Sequence, residues 1–152
     1  FHPRFDARSR TYEYTLYVAP VRQPLLNNWA WHVPARTLDV DRMQQAATLL
    51  LGRHDFATFG QPPQGDNTVR ELLHSAFTPV RPLTPEGRVI RYTITANAFL
   101  YRMVRRIVGA LVRVGSGQVT LDEFASAFRA ADGTWPNHTA PARGLCLTMV
   151  TY

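Results

Sequence analysis

The chain has 152 residues, 45% of them hydrophobic, which is enough for one domain with a sizeable core. Its 17 basic residues, all of them arginine, outnumber 11 acidic ones and give a net charge of +6. This excess predicts a polyanionic partner, nucleic acid rather than an anionic membrane, because no polybasic run is present. No stretch has the length of apolar sequence that spans a bilayer, and no signal peptide is evident.

The first third of the chain predicts two strands and a helix. Residues 11–18 alternate in the way that is typical of a strand, and residues 28–33 predict a shorter one. Residues 40–51 carry apolar side chains at helical spacing. Asp39 is the expected N-cap of this helix, and Gly52 is its expected stop.

The middle of the chain predicts a turn, a loop and a hairpin. Residues 54–59 form an expected aromatic-bearing turn, and the Gly- and Pro-rich residues 60–67 an expected loop. Residues 68–80 and 88–96 both alternate. They are separated by two prolines and a glycine, which predicts an antiparallel hairpin.

The last third predicts a third helix, from Thr120 or Asp122 to about residue 131, after a basic helix treated below. A loop over residues 136–143 and a strand over residues 145–152 follow. The order of elements indicates an α+β fold, a mainly antiparallel sheet with helices packed on one face.

Residues 98–114 predict a basic amphipathic helix. Its core-facing stripe consists of Leu100, Met103, Val104, Ile107, Val108 and Leu111, and its opposite side of Arg102, Arg106, Gly109 and Arg113. Arg105 lies on the flank, where a long side chain can reach into a cleft. No acidic residue occurs from Val89 to Thr120. The helix therefore either presents solvated arginines or binds a polyanion.

The remaining polar residues give few signs of chemistry. The five histidines lack the spacing of a metal site, and the single cysteine, Cys146, excludes a disulfide within the chain and a cysteine-based zinc site. A lone cysteine is also typical of a reducing cytosol. Tyr12 and Tyr14, on a strand flanked by arginines, are either core aromatics or platforms for a nucleobase.

Six motifs together resemble one family, the TruA-type tRNA pseudouridine synthases, in their C-terminal half. The resemblance runs from Phe1 to Tyr152 and is most specific between Phe99 and Gly109. The motifs are FHPRFDA at residue 1, RTYEY at residue 10, HDFATF at residue 54, TVR at residue 68, NAFLYRMVRRIVG at residue 97 and GLCL at residue 144.

The resemblance implies an isomerase that converts uridine to pseudouridine in the tRNA anticodon stem-loop. It implies a cytoplasmic homodimer that uses no cofactor and no metal, with two related halves meeting at a basic cleft. Tyr12 matches the active-site tyrosine, Arg105 the partner of the catalytic aspartate, and Leu145 the apolar residue of the base pocket. We further expect the RNA to be contacted by Phe99, Arg70, Arg102, Arg106 and Arg113.

One part of the family pattern has no counterpart in this chain. The catalytic aspartate of the family lies in a Gly-Arg-Thr-Asp-type loop, and none of the seven aspartates has that context. Because the chain also begins at Phe1 rather than Met, we expect a fragment or processed product, residues 1–152 being the C-terminal domain. We expect this chain alone to be inactive. The alternatives are a stand-alone RNA-binding module and a structural domain with a solvated basic face.

Overall fold

The computed structural model describes residues 1–34, 38–80 and 87–152. Six strands form one sheet, and three α-helices pack on it, which confirms the α+β class. The strands are β1 (Ser9–Val18), β2 (Trp31–Val33), β3 (Gly52–Asp55), β4 (Val69–Val80), β5 (Arg88–Ala96) and β6 (Leu145–Thr151). The α-helices are α1 (Val40–Leu49), α2 (Met103–Gly115) and α3 (Leu121–Arg129), and short 3₁₀ turns cover Ala57–Phe59 and Ala142–Gly144.

Strand β1 is central to the sheet. The order is β2-β1-β5-β4-β3, and β6 pairs with β1 as well. One side of β1 is covered by β5, whereas the other is shared: β6 pairs with its first half and the short β2 with Leu16–Val18. All the pairs are antiparallel except β1 with β2. The two ends of β1 therefore have different neighbours, and its first half depends on the last strand.

The two faces of the sheet are covered differently. On one face Tyr14, Tyr92 and Ile94 are fully buried beneath the helices, because alternate residues of a strand point the same way. On the other face a small cluster around Tyr17 and Val89 packs against residues of the segment after β1. The rest of that face is polar: Thr11 and Thr95 share a hydroxyl hydrogen bond of 2.8 Å.

The predicted strands agree with the structure except at two places. The hairpin β4–β5 is confirmed, although the turn prolines Pro82 and Pro85 lie outside the described residues. Strand β2 is only three residues long, shorter than the predicted 28–33. Residues 52–55 form β3, where a turn was expected over 54–59, because pairing with β4 imposes the extended conformation on a sequence without apolar alternation.

The predicted N-cap Asp39 is confirmed, and Thr120, one of the two predicted starts of α3, is the N-cap of that helix. Helix α1 ends at Leu49, before the expected stop Gly52, which is the first residue of β3. The Asp39 carboxylate accepts from the N–H of Arg42 at 3.1 Å, and the Thr120 hydroxyl from that of Glu123 at 3.1 Å. The basic helix, by contrast, begins at Met103 and not at residue 98. Just before the helix, Tyr101 forms an antiparallel β-bridge with Gln61 of the loop instead of a helical turn. Its N–H donates to the Gln61 carbonyl at 2.9 Å.

The prediction placed Gly109 with Arg102, Arg106 and Arg113 on the side of the helix opposite its core-facing stripe, but this position is covered in the structure. Gly109 is buried, and a Cβ atom built on it would come within 1.6 Å of the His138 carbonyl oxygen. Helix α2 is consequently buried on more than one side, since Ala110 and Val112 are buried too. The arginines of α2 lie at its margins rather than on one exposed face.

Candidate active site

A cavity of about 360 Å³ opens where the start of β1 meets the loop of residues 60–67 and the residues before α2. Most of the residues that line it are aromatic residues or arginines. The cavity is lined by Arg4, Phe5, Arg10, Tyr12, Pro63, Gln64, Arg70, Ala98 and Phe99. A cavity of this volume is within the range that proteins use for a single small ligand group.

Tyr12 is held in this cavity by its neighbours in the sheet and by one aromatic ring. Its ring is perpendicular to that of Phe99, with 5.0 Å between the centroids. In the sheet Tyr12 pairs with Ile94 on one side and Leu147 on the other. The β1–β6 register shifts between Thr11 and Tyr12, an irregularity of the kind that re-aims a side chain. The result is a half-buried tyrosine whose ring is supported from behind and reaches the cavity.

Three arginines surround the tyrosine without a carboxylate among the cavity-lining residues. Arg10 donates to the Arg4 carbonyl, and Arg70 donates to the carbonyls of Asn67 and Val69 at 2.9 and 2.8 Å. The Arg70 Nε is buried with no partner in the described residues, and burial lowers the pKa of Arg70. Guanidinium groups that are ordered and not neutralised by carboxylates form a binding site for anions.

Arg105 lies on the first turn of α2 and is half-buried. Its Nε donates to the Ala140 carbonyl at 2.8 Å, and the Ala140 N–H donates back to the Arg105 carbonyl at 3.0 Å. Burial raises the pKa of Tyr14, and the charges of Arg105 and Arg143 offset part of that rise. Arg105 is thus close enough to Tyr14 for its charge to act on the phenol.

Leu145 is also a neighbour of Tyr14, since the two residues are paired between β1 and β6. The structure therefore brings Arg105 and Leu145 together around Tyr14, and Tyr12 lies two residues before Tyr14 on the same face of β1. Neither Arg105 nor Leu145 lines the cavity that contains Tyr12. The predicted site residues thus fall into two neighbouring groups: Tyr12 and Phe99 line the cavity, whereas Arg105 and Leu145 lie around the buried Tyr14.

The other arginines of the basic helix are more dispersed. Arg102 is exposed, at the left-handed residue before α2, with its guanidinium 5.1 Å from the centre of the Tyr101 ring. Arg106 is half-buried, and its Nε has no partner in the described residues. Arg113 lines a second cavity, of about 540 Å³, together with Trp31 and His138. These three arginines do not converge on Tyr12.

Two arginines of the cavity, Arg4 and Arg10, were not predicted as site residues. Arg4 lies before β1, and Arg10 is the second residue of β1, ahead of the predicted strand over residues 11–18. This stretch has no period and gives no local sign of where it packs. Its position is set by backbone contacts with the other end of the chain, such as the Arg8 N–H to the Thr151 carbonyl at 2.7 Å. The only sequence signal for Arg4 and Arg10 as site residues is the closeness of several arginines at the start of a basic chain.

The described residues contain no group of three or more His, Cys, Asp or Glu side chains that could hold a metal ion. In the same residues, no helix has the length and hydropathy needed to cross a bilayer. Cys146 is a free, exposed thiol.

Comparison with known proteins gives a consistent result. The chain is 40% identical to tRNA pseudouridine synthase A of Methylacidiphilum infernorum and 41% identical to that of Janthinobacterium sp.. It is 40% identical to the protein of the same name from Pelobacter propionicus. Each match covers all of this chain, but the chain spans only 58%, 54% and 60% of these relatives. The family model described as tRNA pseudouridine synthase matches residues 46–152, more than half of the chain. The chain belongs to the tRNA pseudouridine synthase family.

Proposed function

We propose that this chain forms the C-terminal, RNA-binding wall of the active site of a tRNA pseudouridine synthase. The observation that carries the proposal is the cavity in which a supported tyrosine ring lies among three arginines, with no carboxylate among the described residues that line it. An aromatic ring can stack on a nucleobase, and arginines bind the phosphates on either side of it.

The proposed reaction is an isomerisation, which needs neither a redox group nor a carrier. In converting uridine to pseudouridine, the bond from ribose C1′ to uracil N1 breaks and a bond from C1′ to C5 forms. A proton leaves C5 and another is gained at N1, so the product is an isomer of the substrate. The site has to hold the extruded base, turn it and accept a proton.

Tyr12 is the proposed platform for the extruded base, with its hydroxyl a candidate acceptor of the C5 proton. Leu145 provides apolar contact beside it. Arg105 pairs with a catalytic carboxylate and keeps it ionised, since a guanidinium nearby lowers the pKa of a carboxylic acid. Phe99 supports the tyrosine ring, and Arg70, Arg102, Arg106 and Arg113 contact RNA phosphates.

The catalytic carboxylate has to come from outside this chain. None of its seven aspartates is in the family's loop context, and the relatives are nearly twice as long. We therefore expect the 152-residue chain to have no turnover when it is tested alone. In the full-length synthase we propose a homodimer acting on tRNA in the cytoplasm. The alternative of a stand-alone RNA-binding module is disfavoured, because the relatives are named as synthases.

The test is Arg105→Ala in the full-length synthase, assayed by release of tritium from tRNA labelled at C5 of uridine. We expect loss of turnover with tRNA affinity nearly retained, because the arginine acts on the carboxylate and not on the RNA backbone. Arg129→Ala is the matched control, since Arg129 is exposed on α3 and lies outside this cavity. Wild-type rates in Arg105→Ala would contradict the assigned role, and a wild-type protein that releases no tritium would contradict the function itself.

A further inference from the structure

The segment of residues 138–144, here called the strap, lies directly on the backbone of α2. The His138 carbonyl oxygen occupies the place where any side chain at position 109 would begin, 1.6 Å from an ideal Cβ. Only glycine at this position allows the strap to lie so close to the helix. The height of the strap above α2 is thus set by Gly109.

The strap holds Arg105 one helical turn before Gly109. The Ala140 carbonyl accepts from the Arg105 Nε at 2.8 Å, and the Ala140 N–H donates to the Arg105 carbonyl at 3.0 Å. The second bond anchors Ala140 to the backbone of α2, and the first attaches the guanidinium to that anchored residue. In the part of the chain that the structure describes, no carboxylate forms an ion pair with Arg105. A backbone carbonyl therefore positions this arginine.

The far end of the strap is fixed to β1. The Tyr14 hydroxyl donates to the Pro141 carbonyl at 2.6 Å. Gly144 lies against the same residue: a Cβ there would come within 2.7 Å of the Tyr14 ring and of the Thr15 carbonyl oxygen. The strap is consequently pinned on both sides of Ala140, by the helix at one end and by the central strand at the other.

We propose that Gly109 and Tyr14 are positioning residues for catalysis, which act through the strap to aim the Arg105 guanidinium at the catalytic carboxylate. The inference rests on the proposed function. A Cβ at position 109 needs the strap to move by more than 1 Å to reach ordinary van der Waals distance. Ala140 moves with it, and the guanidinium loses its acceptor. A misplacement of about 1 Å can lower a catalysed rate about 10²-fold.

The first experiment compares two glycine-to-alanine changes on the same helix of the full-length synthase. Gly109→Ala is expected to lower the single-turnover rate about 10²-fold with tRNA affinity little changed. Gly115→Ala is the control, because its Cβ meets the Met43 side chain, 2.5 Å from Sδ, and not the strap. Both changes disturb packing and both raise helix propensity, so only the displacement of the strap distinguishes them.

The second experiment measures hydrogen exchange at the Arg105 side chain and does not depend on an activity assay. In protein labelled with ¹⁵N-arginine, the Arg105 Nε–H should be protected from exchange in wild type and in Gly115→Ala. It should lose that protection in Gly109→Ala. Should Gly109→Ala fail to fold, Tyr14→Phe removes only the hydroxyl that holds Pro141 and should lower both the rate and the protection.

The outcomes separate the two proposals. An active wild type whose Gly109→Ala and Tyr14→Phe variants keep full rate and full protection would overturn the inference alone. Equal rate losses in Gly109→Ala and Gly115→Ala, with protection unchanged, would mean that both glycines serve packing only, which also overturns it. A wild type without isomerase activity overturns the proposed function instead.

Discussion

At the scale of single residues, Tyr12 combines two properties that one substitution can separate. Its ring is supported by Phe99 and lines the cavity, and its hydroxyl is the acceptor of the C5 proton in the proposed function. Tyr12→Phe keeps the ring and removes the hydroxyl. We expect tRNA affinity to stay near wild type while the isomerisation rate falls by about 10² or more, the usual effect of losing a general acid or base.

The control for this change is Tyr12→Leu, which should weaken tRNA binding as well because the stacking surface is lost. Single-turnover tritium release and filter binding would measure the two effects separately. Full activity in Tyr12→Phe would show that the ring alone is needed and that the proton has another acceptor.

A second prediction concerns Ser75, a buried hydroxyl that joins α1 to the sheet. Its Oγ donates to the Ala47 carbonyl at 2.8 Å and lies 2.6 Å from the hydroxyl of the fully buried Tyr92. Ser75→Ala leaves both groups without this partner, so the free energy of unfolding should fall by about 1–3 kcal/mol.

Urea denaturation of the 152-residue chain measures this loss, and Ser126→Ala is the matched control. Ser126 is exposed on α3, and alanine is the better helix former, so the control should change stability by less than about 0.5 kcal/mol. A Ser75→Ala variant as stable as the control would mean that the two groups find other partners.

At the scale of the elements, the sequence predicts those strands and helix caps that depend on residues close together in the chain. Strand β5 has the predicted bounds because its alternation coincides with a buried face, and the caps Asp39 and Thr120 follow from side-chain chemistry near the chain itself. Strand β3 was missed because its Gly-Arg-His-Asp sequence carries no alternation. It becomes a strand only because β4 is beside it.

The basic helix shows the other limit of sequence reasoning. Helical spacing alone treats residues 98–114 as continuous, but the bridge from Tyr101 to Gln61 delays the helix to Met103. Spacing also places Gly109 among the arginines, whereas the strap covers it. The site residues also differ in how far the sequence predicts them. Tyr12, Phe99 and Arg70 are predicted from their motifs. Arg4 and Arg10 are not, because their positions depend on contacts with the far end of the chain.

At the scale of the whole molecule, the excess of arginine predicts how binding responds to salt. If the cavity arginines contact phosphates, log Kd for tRNA should rise steeply with log salt concentration. Arg4→Ala and Arg10→Ala in the full-length synthase should each lower that slope by about 0.7–0.9, the value for one phosphate contact.

The same titration tests Arg102→Ala and Arg113→Ala, which lie outside the Tyr12 cavity. Both should weaken tRNA binding and its salt dependence without changing the single-turnover rate at saturating enzyme. The control is again Arg129→Ala on α3. Slopes that do not differ from the control would show that these side chains are only solvated.

The sharing of one side of β1 between β2 and β6 has a consequence for synthesis. Tyr12 is translated well before Leu145–Thr151, the strand that pairs with it and the last of the described elements. Loop closure over nearly the whole chain has to precede that pairing, which is slow compared with local contacts. Until β6 is translated, the nascent polypeptide therefore lacks one of the two strands that flank Tyr12 in the folded sheet.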